Sequence, residues 1–177
     1  MGIRPQRRVP PSPLFVDLRG MAVTMAWLIV IDIAVVVLLS VLIGILAPRV
    51  PATWLAADVG PLVLLGSESV RAYRRWGVSS LARRLPELGD MFGGSSKSHL
   101  PGTTAADLSA YLVEVRRAEW VHWISIAVSP ILFAFNPWWL ALMFVLLVAI
   151  GNLPFILVLR NNRLRIRGIL RRSGQRQ

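Results

Sequence analysis

Two long apolar runs constrain this chain more than any other feature. Between about Met21 and Ala47 the only ionisable residue is Asp32, and between about Trp138 and Leu159 there is none. A helix needs about 20 such residues to cross bilayer hydrocarbon, so each run predicts a membrane-spanning helix. The first run exceeds the roughly 7–15-residue core of a cleaved leader. A third run, 120–136, stops at the turn signal Asn136-Pro137, beside Trp138 and Trp139, which suit an interface belt. A fourth, 52–66, is short and broken by Asp58, Gly60 and Pro61, so it reads as re-entrant, interfacial or a poor second span.

The expectation is therefore an all-α integral membrane fold of about four transmembrane or re-entrant helices. Its spans are 21–47, 52–66, 120–136 and 138–159, within one membrane domain over 21–172. A basic, proline-rich arm (1–20) precedes the domain and a basic tail (173–177) follows it. The prolines of the arm argue against a helix there. Between the second and third spans lies a cytoplasmic helical segment, 67–119, containing the flexible loop GGSSKSHLPGTT at 93–104. Thr103 or Thr104 then caps a helix that runs from about Ala105 into the next span. Pro154 inside the last span predicts a kink.

Charge sets the orientation. Of 20 basic residues, 19 fall in the arm, the 67–119 segment and the stretch after the last span, leaving Arg49 alone. The positive-inside rule puts those segments, and both termini, on the cytoplasmic side of the cell membrane. A net charge of +11 in such a chain points to anionic lipid rather than nucleic acid, for which no binding module is present. The absence of cysteine excludes thiolate catalysis, disulfides and Cys-based metal sites.

The densest polar cluster is YLVEVRRAEWVHW, 111–123. On a helix Tyr111, Val115, Ala118 and His122 share a stripe, and Glu114 and Glu119 flank the histidine within about 60–80° at 100° per residue. A carboxylate beside an imidazole fixes its tautomer and supports it as a general base. The same residues also read as intrahelical ion pairs such as Glu114 with Arg117. Glu119-x-x-His122 matches half of a carboxylate–histidine metal motif, but His99 has Ser96 rather than a carboxylate three residues before it. Asp32 within the first span reads either as part of a site or as a helix–helix hydrogen bond. In a second cluster, Asn152, Ile156, Arg160 and Arg163 fall at helical spacing, with Asn162 and Arg165 alongside. The arginines suit phosphate or lipid headgroups.

At these clusters the chain resembles the glycosyl-4,4'-diaponeurosporenoate acyltransferases, small membrane enzymes of staphyloxanthin-type carotenoid biosynthesis. EVRRAEWVHWISI at 114–126 matches an E-x-x-R-A-E-x-x-H-W core through Glu114, Arg117, Ala118, Glu119, His122 and Trp123. GNLPFILVLRNNRLR at 151–165 matches a pattern of N-x-P followed by an arginine-rich end through Asn152, Pro154, Arg160, Asn162, Arg163 and Arg165. Leu159 and Asn161 depart from it. RVP at 49–51, Glu68, Tyr73, Trp76 and RLPE at 84–87 match more weakly. The resemblance spans about 20–172.

It implies transfer of a fatty acyl group from acyl-CoA, a co-substrate rather than a bound cofactor, to a sugar hydroxyl of a lipid-linked or carotenoid glycoside. His122 would be the base, with Glu119 or Glu114 orienting it. Arg117, Trp123, Asn152, Arg160, Asn162, Arg163 and Arg165 would bind substrate, the arginines taking the donor's phosphates. No G-x-S-x-G motif occurs, so direct transfer is favoured over a serine acyl-enzyme. Partners implied are acyl-CoA and the glycoside; the arginines add membrane lipids, the four short spans, which enclose only a small site, suggest a homodimer, and the histidine spacing gives no expectation of a metal. Two other classes remain open: a non-catalytic scaffold or accessory subunit on anionic lipid, and a metal-dependent membrane oxidase.

Overall fold

The computed structural model describes residues 13–85 and 104–174. Most of the basic arm, the 93–103 part of the expected loop, and the last residues of the tail lie outside them. Five α-helices are described: α1 (Pro13–Leu46), α2 (Val70–Arg75), α3 (Val78–Arg84), α4 (Ala105–Val128) and α5 (Trp138–Gly174). There are no strands among the described residues. The chain parts into two units, residues 1–35 and 36–177, with the boundary inside α1.

In the first unit, α1 starts at Pro13, earlier than the proline-rich composition of the arm predicts. Proline is tolerated in the first helical turn, where its missing N–H has no partner to lose. Most of the large side chains here, including Trp27 and Ile33, are exposed, while Asp32 is fully buried. The segment Val23–Arg49 is long and apolar enough to cross a membrane.

In the second unit, α4 and α5 form an antiparallel hairpin. Thr104 caps α4: its hydroxyl accepts from Asp107 N at 3.2 Å while the Asp107 carboxylate accepts from Thr104 N. That reciprocal box starts the helix at the expected place. The expected span 120–136 is not one helix. Pro130 has no N–H to give the carbonyl of Ile126, and the Ser129 hydroxyl donates to that carbonyl at 2.8 Å instead. The chain tightens into a 3-10 turn over Ser129–Ala134, and Asn136 Nδ2 closes it on Leu132 O at 3.0 Å.

Helix α5 is a single element of 37 residues that continues past Pro154. The arginine-rich stretch after residue 159 thus continues the helix of the last span. Leu159 and Ile166 on one flank pack on Leu108, Tyr111, Leu112 and Val115 of α4. Val158 on the other flank packs on Tyr73 and Val78. Helices α2 and α3 meet at Gly77, whose φ of 71° is a left-handed conformation that favours glycine.

The 52–66 stretch is not a membrane-length helix. It forms two short 3-10 turns, Ala52–Leu55 and Gly60–Leu62, joined by a bend at Ala56 and Ala57 and an extended Val59. Leu55 and Leu62 are buried, and the turns lie against α4. Among the described residues two helices have the length and composition to cross a membrane, the second being Trp138–Ser173.

Candidate active site

The arginines of α5 meet carboxylates from three distant parts of the sequence. Arg160 Nε donates to Glu119 Oε1 at 2.8 Å, its Nη1 to Glu68, and its Nη2 to the carbonyls of Pro61 (2.6 Å) and Val63 (2.9 Å). Arg163, with no exposed surface, donates to Glu119 Oε2 at 2.5 Å and to Leu62 O at 2.7 Å, and pairs with Asp58 at 2.6 Å. Asp58 also takes Arg116 at 2.8 Å and Arg167. Burial alone would raise the Asp58 carboxyl. The hydrogen bond from Arg116 and the charges of Arg163, Arg167 and Arg116 outweigh burial and hold it below its ordinary value. Tyr73 donates to Glu68 at 2.8 Å, and its phenol is pushed up by burial, then by that bond and the charge of Glu68.

This network explains why the 52–66 stretch is irregular. Its backbone carbonyls face inward as arginine acceptors, which no helix or strand ladder would leave available. It also changes how Glu119, Arg160 and Arg163 read. Sequence reasoning set Glu119 beside His122 and the arginines on a ligand. In the structure both carboxylate oxygens of Glu119 take guanidinium groups, and Trp123 Nε1 adds a third donor at 3.3 Å. Glu114 pairs with Arg117, the intrahelical alternative, and Arg117 also reaches Val50 O at 3.1 Å. Asp58, Arg116 and Arg167 belong to the same network and were missed. Asp58 inside an apolar stretch was the available signal, since a carboxylate there needs a charged partner.

His122 meets α5 nearer the connecting turn. Its Nδ1 lies 2.7 Å from Asn152 Oδ1, and its ring stacks on Phe155 with centroids 4.8 Å apart. Asn152 Nδ2 donates to Val148 O at 2.8 Å. A carbonyl accepts only from a donor, so that bond fixes which end of the amide faces the histidine. Oδ1 must then accept from Nδ1–H, and in the neutral ring Nε2 is the basic nitrogen. The structure thus brings His122 and Asn152 together, as their separate clusters did not foretell. Asn162 is half-buried on α5 and Arg165 is exposed. Among the described residues no three His, Asp or Glu side chains converge so as to hold a metal ion.

The segments carrying these side chains are those that known proteins share. A model of the family described as glycosyl-4,4'-diaponeurosporenoate acyltransferase matches residues 51–172. The chain belongs to that family. Acyltransferases of that name from Staphylococcus aureus strains bovine RF122 / ET3-1, Newman and USA300 are each 35% identical over 81 residues, 44% of this chain and 48% of theirs. The chain spans about half the length of the curated relatives it matches. No solved structure matches it. The family match holds every member of the charge network together with His122 and Asn152, and it begins beyond α1.

Proposed function

We propose that this protein is a membrane acyltransferase that moves a fatty acyl group from acyl-CoA to a hydroxyl of a lipid-linked glycoside, a carotenoid glycoside in the first instance. His122 is the general base. The observation that carries this reading is the His122–Asn152 pair, a histidine of fixed tautomer inside the family's matched region.

In this reading His122 Nε2 takes the proton as the acceptor oxygen attacks the thioester carbonyl. The C–S bond then breaks, and the imidazolium returns the proton to the departing thiolate. Asn152 keeps the ring in the productive tautomer, the part that Glu119 or Glu114 was expected to play. Arg160 and Arg163 are engaged within the protein, so exposed Arg165, Arg171 and Arg172 are the better partners for the donor's phosphates. Asn152 and Arg165 are 13 residues apart, about 20 Å along α5, a gap that suits a donor whose charge lies far from its thioester. The protein sits in the cell membrane with its arginine-rich segments, and both termini, cytoplasmic.

Purified protein given labelled acyl-CoA and glycoside acceptors should transfer the label, and His122→Ala should lose about 10²–10⁴-fold in kcat. Full activity in His122→Ala sinks the base assignment. A topology map placing His122 near the extracytoplasmic face removes acyl-CoA as donor. A second reading, a scaffold on anionic lipid, is favoured by the exposed Arg71, Arg74, Arg75, Arg83 and Arg84. It predicts vesicle binding with no transfer to any acceptor.

A further inference from the structure

The hydrogen bond from His122 to Asn152 leaves one freedom of the histidine ring open. The ring torsion of histidine is broad and roughly two-fold, so its own rotamer does not set the plane of the imidazole. A single hydrogen bond does not set it either, because the ring can still swing about the N–H···O axis. With the plane undefined, the lone pair on Nε2 points in no fixed direction, and a general base needs that direction to meet its proton.

Phe155 supplies the missing constraint. It lies three residues after Asn152 on α5, so the two side chains share one face of the helix. The phenyl and imidazole rings stack with centroids 4.8 Å apart and planes 14° from parallel, within the range of attractive aromatic pairs. A stack holds a plane but is blind to a half-turn flip, which would exchange Nδ1 for a carbon. The bond to Asn152 singles out Nδ1 and leaves the plane loose. Together the two contacts admit one orientation, and both come from a single turn of α5. The phenyl face also carries the negative side of a quadrupole, which attracts a cation more than a neutral ring. An imidazole that takes up a proton during reaction becomes such a cation, so the stack strengthens as the charge develops.

We propose that Phe155 is a positioning residue of this site, holding the plane of His122 and stabilising its imidazolium as it forms. The proposal rests on the acyl-transfer reading and adds to it a residue that carries no polar group. Two variants test it in the purified protein. Phe155→Leu keeps much of the apolar bulk and removes the ring face. It should lower kcat by about tenfold with KM for donor and acceptor unchanged, whereas Phe155→Tyr, which keeps the face, should retain the parent value. A parental kcat in Phe155→Leu, or a kcat as low in Phe155→Tyr as in Phe155→Leu, overturns the proposal.

Nuclear magnetic resonance of histidine-labelled protein reads the same contacts without turnover. The His122 signals are those that disappear in His122→Ala. Its ring C–H protons, shielded by the phenyl face, should move downfield in Phe155→Leu and stay in place in Phe155→Tyr. The nitrogen pattern of the Nδ1–H tautomer should persist in Phe155→Leu and be lost in Asn152→Leu. Ring protons that stay in place in Phe155→Leu also overturn the proposal. If the expected shifts appear in a protein that acylates no acceptor, Phe155 is kept as the residue that holds the ring and the acyl-transfer reading falls instead.

Discussion

The two ends of the α4–α5 hairpin solve the problem of buried polarity in opposite ways. Toward the start of α4 and the end of α5, four arginines pair with three carboxylates, with one positive charge in excess, and clamp the 52–68 segment through its carbonyls. Toward the connecting turn, polar groups are few, and serine hydroxyls fold back on their own helices. Where those regimes meet stand His122 and Asn152. The difference teaches that density of charge is a poor guide to chemistry here. At the crowded end the carboxylates and most guanidinium nitrogens are held by the protein itself, while the sparse end keeps one histidine of defined tautomer.

If that division is right, variants at the charged end should change stability, and variants at the sparse end should change turnover. The largest effect is expected for Glu119→Ala, which leaves Arg163 buried without its main partner. Breaking a buried pair costs about 3–5 kcal/mol, read as a large drop in thermal unfolding temperature in detergent. A Glu119→Ala protein that melts normally but has lost turnover would break the comparison.

Asp58→Asn should cost about 1.5–3 kcal/mol, the scale of a charged hydrogen bond. Its pH signature is specific. The folded carboxyl titrates below its ordinary value of 3.8. Its contribution is complete above that value and fades as pH falls through the lower, folded one. Acid melting curves of the parent protein should therefore steepen below about pH 4, and those of Asp58→Asn should be flatter there.

Asn152→Leu sharpens the other side. Losing the bond that fixes the His122 tautomer should lower kcat by about tenfold with little change in melting temperature. A kcat that is unaffected would assign Asn152 to helix packing. Smallest of all, Tyr73→Phe removes one bond to Glu68 and should cost about 1 kcal/mol or less of stability, with turnover intact.

Much of the hairpin was legible in the sequence because its signals are local. The Thr104 cap with Asp107 three residues on, the Asn136-Pro137 turn and the two apolar runs each depend on neighbours in the chain. Pro130 was equally local and was passed over in an apolar run. Helix over 160–174 was masked by its arginines, although Leu159, Ile166 and Leu170 keep an apolar stripe through them. The site was less legible. Arg167 meets Asp58 across 109 positions, and the carbonyls of Pro61, Leu62 and Val63 are acceptors whatever their side chains. His122 and Asn152 were each singled out, but only the antiparallel pairing of their helices makes them partners.

The unbroken length of α5 fixes depth. Thirty-seven residues rise about 55 Å, nearly twice the roughly 30 Å of bilayer hydrocarbon. With Trp138 and Trp139 at one boundary, about 20 residues bring the helix to the opposite boundary just before Arg160. Asn152 then lies about 12 Å short of that arginine, below the headgroups. In the proposed reaction, an ester formed beside it would be made inside the oily layer, where an acceptor would arrive by sideways diffusion and water would compete poorly for the thioester.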